Sequence, residues 1–185
     1  MRVAGLLAVL MVPTARADDT SSFCSTCEVQ FGIGGTYHYW GTTHSLVIPV
    51  TANFDEDRWE LGAFRFTGPQ RFYDTTFKYH ITFAEPYWGF SFSRRLELFP
   101  HPHWRLLIGL GGSYKTQENR LSASLWNFAE QAGVRLTPVA GTNIDLVGRH
   151  FSNGGLKLPN HGQDFATLTV TIFPTLLWHR FASGN

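Results

Sequence analysis

With 185 residues and a formal net charge of +1, the chain is sized for one domain and too evenly charged for a nucleic-acid binder or a polybasic membrane anchor. Charged residues make up only 16% of it while aromatics reach 15%, a balance that suits either a large apolar exterior or a dense soluble core.

The N-terminus reads as a secretory signal. Arg2 supplies the positive charge, Val3 to Val12 is an apolar run, and Ala15-Arg16-Ala17 offers small residues for cleavage after Ala17. The expected division is therefore signal peptide 1–17 and mature domain 18–185, exported. The run is too short to cross a bilayer as a helix, and no later stretch is long enough either. Ser21-Ser22-Phe23 before Cys24 is not a lipoprotein signal. Cys24 and Cys27 form a C-x-x-C pair, but neither a βαβ setting nor two further zinc ligands accompany it. In an oxidising compartment a small local disulfide is the expected use.

Short alternating runs follow, with no convincing amphipathic helix. The first covers about Glu28 to Tyr39. Beyond a turn at Gly41-Thr42, the second sets Leu46, Ile48, Val50, Ala52 and Phe54 on one face. Asp55-Glu56-Asp57 turns the chain into the third run, where Trp59, Leu61 and Ala63 oppose Arg58, Glu60 and Gly62. There the pattern inverts, with Phe64 and Phe66 on the polar parity; either a bulge near Gly62-Ala63 resets the facing or the strand ends. A polar connection runs from Gly68 to about Ala84. The fourth run, about Glu85 to Leu98, places Trp88, Phe90 and Phe92 together. A turn through Pro100 and Pro102 leads to the fifth, Trp104 to about Tyr114. After the loop Lys115 to Ser122 comes the sixth, about Ser124 to Thr137, in which Glu130 shares the apolar parity of Trp126, Phe128, Ala132, Val134 and Leu136. Either a bulge intervenes there or Glu130 packs near an end. The turn Pro138 to Gly141 opens the seventh run, and the eighth alternates Ala166, Leu168, Val170 and Ile172 with Thr167, Thr169 and Thr171.

Eight alternating segments of about ten residues behind a signal peptide are the signature of an all-β, eight-stranded antiparallel transmembrane outer-membrane β-barrel. Apolar residues would face lipid, with Ser, Thr, Gly, Arg and Glu in the lumen. Trp40, Trp59, Trp88, Trp104 and Trp126 would form interfacial girdles. Period two does not itself say which face is outside, so a secreted lipocalin-like barrel with apolar residues inward is the competing architecture.

The seventh run carries chemistry. Ile144, Leu146 and Gly148 share parity with His150 and Ser152, so an imidazole and a hydroxyl would sit side by side on the lipid-facing side at the outer end of the strand. Asp164 opens the next strand with the same facing. Polar groups aimed at lipid are costly, and that cost points to function. His150 would take the proton of Ser152, Ser152 would attack an ester carbonyl, and Asp164 would orient the imidazolium. Asn153, Asn160 and glycine amides such as that of Gly154 would face the oxyanion. Ser152-Asn153-Gly154-Gly155 is also an ordinary tight-turn sequence, which a non-catalytic barrel would use for that alone.

The stretch His150-Phe151-Ser152-Asn153-Gly154-Gly155-Leu156-Lys157, with Pro159 and Asn160, resembles the PagL-type lipid A 3-O-deacylases, with weaker support from Trp104 to Tyr114. The resemblance implies an eight-stranded outer-membrane barrel that removes the ester-linked acyl chain at the 3-position of lipid A. It also implies His150 as base, Ser152 as nucleophile and Asn153 with Asn160 around the oxyanion, with no metal or other cofactor. The family's acid is usually glutamate where this chain has Asp164. Lipid A and outer-membrane lipid are then the partners of a monomer or homodimer, with no nucleic acid. His161 lies in the same loop, either touching a substrate phosphate or sugar or simply exposed. His101-Pro102-His103 is read as a solvated turn, and Arg149 and Asp145 are expected to pair with charges inside the lumen.

Overall fold

In the computed structural model the described residues are 27–37, 45–68, 70–74, 79–119 and 121–173. The stretch read as a signal peptide, Cys24, the turn at Gly41-Thr42 with Trp40, and the tail from Pro174 lie outside them. The strands are β1 Glu28–Tyr37, β2 Leu46–Phe54, β3 Trp59–Phe66, β4 Gln70–Asp74, β5 Tyr79–Ala84, β6 Tyr87–His101, β7 Trp104–Lys115, β8 Trp126–Val139, β9 Thr142–Ser152 and β10 Gln163–Phe173. Eight of them close an antiparallel barrel in the order β1-β10-β9-β8-β7-β6-β3-β2. β4 and β5 pair only with each other, so the segment read as a polar connection is itself a hairpin mounted between β3 and β6.

Closure satisfies the ladder hydrogen bonds of every barrel strand and leaves no open edge. The apolar parity faces outward: Leu61, Phe90, Phe92, Leu110, Phe128, Leu146 and Leu168 are all exposed. This excludes the lipocalin-like arrangement, whose apolar residues would point in. Trp88 and Trp126 ring one end of the outer surface, and Trp59 and Trp104 the other. The end with Trp88 and Trp126, where β9 finishes, is here the site end. The other is the turn end, with the tight turns at 55–58, 102–103 and 140–141.

The lumen departs from the expectation of a uniformly polar filling. Its turn-end half is polar: Arg135 donates from Nε and Nη2 to Asp145 at 2.7 and 2.8 Å and from Nη2 to Glu28 at 2.8 Å, and it also meets Asp57. Arg95 reaches Asp145 at 3.1 Å and Glu60 at 3.3 Å, and Arg149 grips Glu60 through two bonds of 2.6 and 3.0 Å. Arg149 and Asp145 thus pair inside the lumen as their parity suggests. The site-end half holds an apolar cluster of Val47, Phe64, Phe66, Tyr87, Ala129, Phe151 and Phe165, with Ser113, Lys115, Asn127 and Gln163 buried beyond it. Phe165 meets Phe64, Phe66 and Phe151 edge to face at 5.0 to 5.2 Å, the arrangement aromatic quadrupoles favour. Arg149 joins the halves, its guanidinium 4.9 Å from the Phe64 ring centre.

This division resolves both irregular runs. β3 pairs with β2 and β6 without a register shift, so there is no bulge at Gly62-Ala63. Phe64 and Phe66 keep the inward parity because the lumen itself turns apolar at their level. β8 is equally regular from Trp126 to Leu136, and Glu130 is on the outward face in the middle of a ladder rather than near an end.

Candidate active site

β9 carries an inward set, Asp145, Val147, Arg149 and Phe151, that is buried in the lumen. Fixing those side chains fixes the alternate ones, because a slip of one residue would exchange the faces. His150 and Ser152 are therefore held outward at the site end, between the anchored Arg149, Phe151 and Asn153. β10 does the same for Asp164, which sits between the fully buried Gln163 and Phe165.

Register then brings the groups together. Asp164 is the direct cross-strand partner of His150, and Nδ1 of His150 is 2.7 Å from Oδ1 of Asp164. A carboxylate can only accept, so Nδ1 carries a proton, and in the neutral ring Nε2 then presents the lone pair. Both side chains are partly covered, with 34% and 17% of their surfaces accessible. Ser152 shares the outward face one pleat above His150, opposite Phe128 of β8. Its Oγ accepts the Gly154 amide at 3.3 Å, and no hydrogen bond joins it to His150.

The two asparagines are brought together by the loop that follows β9. Oδ1 of Asn160 accepts the Asn153 amide at 3.0 Å. The carboxamide of Asn153 is occupied at both ends, donating to the Lys157 carbonyl at 2.7 Å and accepting from the Gly155 amide at 3.0 Å. Asn153 thus shapes the loop, while the Asn160 Nδ2 makes no hydrogen bond to another described residue. The loop is tied down by the β7–β8 connection. The amides of His161 and Gly162 both donate to the Leu121 carbonyl, at 2.7 and 3.0 Å, and Ala123 donates to the Pro159 carbonyl at 2.9 Å. Lys157, its side chain about half exposed, meets Glu118 at 2.8 Å. His161 is exposed in this loop.

Three further residues lie around the imidazole that the sequence reading did not assign to the site. Gly162 lies directly against it. Tyr37 is the cross-strand partner of Asp164, and its hydroxyl comes within 3.6 Å of where a Cβ on Gly148 would sit. Glu130 is the cross-strand partner of His150 on the side away from Asp164. Only the third carried a sequence signal, as an acid on an apolar parity. At the opposite end His101 stacks on Trp104 at 5.6 Å beside an exposed His103.

Residues 35–172 match the family model described as "Lipid A 3-O-deacylase (PagL)". No curated protein sequence matches the chain significantly. Among solved structures, the crystal structure of the outer membrane enzyme PagL superposes with a TM-score of 0.52 at 19% identity, covering 79% of this chain and 99% of that one. Neisserial surface protein A (NspA) superposes at 0.50 with 9% identity, covering 78% and 93%. At such identities these likenesses establish the eight-stranded barrel fold and no more. The family model spans well over half of the sequence, including every residue of the site: this chain belongs to the lipid A 3-O-deacylase (PagL) family.

Proposed function

We propose that this protein is an exported outer-membrane serine esterase that removes the acyl chain at the 3-position of lipid A. The observation that carries the reading is the His150–Asp164 pair at 2.7 Å on the outward face, with the Ser152 hydroxyl one pleat away. Ionisable groups on the lipid side of a barrel are costly and need a reason. Family membership and the two aromatic belts support the substrate and the location.

The roles follow from the geometry. Asp164 holds the Nδ1–H tautomer, leaving Nε2 to take the Ser152 proton as Oγ bonds to the ester carbonyl carbon. A modest rotation of the two side chains is needed, since catalytic hydrogen bonds often tighten only with substrate bound. The Gly154 amide, already directed at Oγ, and the uncommitted Nδ2 of Asn160 are the donors for the oxyanion. Collapse breaks the bond to the sugar oxygen, which leaves with the proton from His150. Water, activated by the same imidazole, then releases the fatty acid from Ser152.

Mass spectrometry of lipid A from cells expressing the protein tests this. The expected result is loss of one hydroxyacyl chain, abolished in Ser152→Ala and in His150→Ala. Lipid A unchanged by the wild type would leave a non-catalytic barrel, and full deacylation by both variants would refute the assigned roles.

A further inference from the structure

We propose that Glu130 is a positioning residue of this site: its carboxylate, facing His150 across the β8–β9 ladder, steadies the imidazole on the side away from Asp164 and offsets the charge it acquires on taking the Ser152 proton. The inference rests on the esterase reading above and deepens it.

The first observation is one of cost. Glu130 lies on the outward face of β8 with Phe128 and Ala132 on either side of it, and the other members of that face of the strand, Trp126, Val134 and Leu136, are apolar too. A carboxylate gains nothing from lipid there and destabilises the barrel relative to a neutral residue. No bulge or strand end excuses it, because the ladders on both sides of β8 run through this position in register. The lumen, where the buried acids Glu28, Glu60 and Asp145 find arginines, is on the opposite side of the wall.

The second observation is what it faces. Its cross-strand partners are Leu110 on β7 and His150 on β9. Directly opposed side chains on one face have Cβ atoms about 4.5–5.5 Å apart, within reach of interaction. Among the described residues no lysine or arginine forms an ion pair with Glu130, so the imidazole is the one group on that rung that can become its cation.

The third is the order of the rung. Reading across the outer wall, the partners are Leu110, Glu130, His150, Asp164 and Tyr37, on five adjacent strands. The ring is hydrogen-bonded by Asp164 from β10, faced by Glu130 from β8, and backed by Gly162 from the loop. Tyr37 adds a neutral hydroxyl beyond Asp164. Two carboxylates thus bracket one imidazole in a partly desolvated layer, where a fixed charge acts more strongly than in water.

The test is steady-state kinetics on purified lipid A in detergent micelles, with unfolding in urea run alongside. Glu130→Gln should lower kcat by about tenfold to a hundredfold, the scale of one interaction with a charged group, while KM stays within about twofold. Glu130→Asp, which keeps the charge, should retain more activity than Glu130→Gln. The unfolding midpoint of Glu130→Gln should hold or rise, because a lipid-facing charge has been removed; a residue kept for structure would lower midpoint and kcat together. Unchanged kcat in Glu130→Gln, a change confined to KM, or equal losses in the Gln and Asp variants would overturn the inference while leaving an active wild type, and so the esterase reading, intact. A wild type that releases no fatty acid would remove both.

Discussion

A Cβ placed on Gly162 would lie 2.0 Å from Cε1 of His150 and 2.7 Å from Nε2, closer than Cβ atoms come to non-bonded neighbours. Gly162 also holds φ at +83°, a backbone region that residues with a Cβ enter only at a cost of about 1–2 kcal/mol. Its amide is tied to the Leu121 carbonyl, so it cannot simply swing aside. The His150 ring is therefore seated against bare backbone, supplied by one loop and pinned by another.

Gly162→Ala should for that reason displace the imidazole, not unfold the barrel, since the residue precedes β10 and is not part of its ladder. A shift of about 1 Å at the reacting groups is enough to cost on the order of a hundredfold in rate. Deacylation by Gly162→Ala, measured on protein whose folded fraction matches wild type, should fall by that order; full activity would mean the ring does not need this seat.

In the proposed mechanism Asp164 acts on the reaction only through His150. Removing it leaves His150 and Ser152 in place, and water can partly substitute for an orienting carboxylate. Asp164→Ala should be slower than wild type but faster than Ser152→Ala, in which the attacking oxygen is gone. Release of the hydroxyacyl chain from lipid A, compared across the two variants, decides this, and an Asp164→Ala protein slower than Ser152→Ala would contradict the assignment.

Much of this was legible because a strand has period two. Ile144, Leu146, Gly148, His150 and Ser152 share one parity, and the barrel places them on one face as that parity requires. Period two says nothing of what lies across the ladder. The pairing of Glu130 with His150, twenty positions apart in sequence, is a matter of register between strands and not of any local pattern. Phe64 and Phe66 misled for a related reason: alternation marks two faces, but not that the inner face changes from polar to apolar along its length. Gly162 gave no signal, because a glycine in a loop has many uses and only the folded contact distinguishes this one.

Arg135 is fully buried and is the centre of the turn-end charge cluster, bonded to Asp145, Glu28 and Asp57. Truncating it to methionine keeps much of the volume but leaves three carboxylates short of their main cation. Breaking one side of a buried ionic network destabilises by about 3–5 kcal/mol. Urea unfolding of the detergent-folded barrel should show a loss on that scale for Arg135→Met. Activity per folded molecule should stay near wild type, because the cluster lies at the end away from His150. A stable Arg135→Met barrel would show that the network contributes little, and a stable but inactive one would couple it to the site.

The same packing forbids a pore. An eight-stranded barrel has an interior only wide enough for side chains to fill it. Here Phe64, Phe66, Phe151 and Phe165 close the site-end half, each no more than 1% exposed. Arg95, Arg135 and Arg149, bonded across the lumen to Glu60, Asp145 and Glu28, close the other. No ion can pass without displacing both layers. Planar-bilayer recordings of the purified protein should therefore show no conductance steps above the lipid baseline. Phe64→Ala should show none either, since it opens only the apolar layer and leaves the ionic one in place. Discrete openings in wild type would mean that the interior rearranges in lipid, and would favour a transport role over one confined to the outer wall.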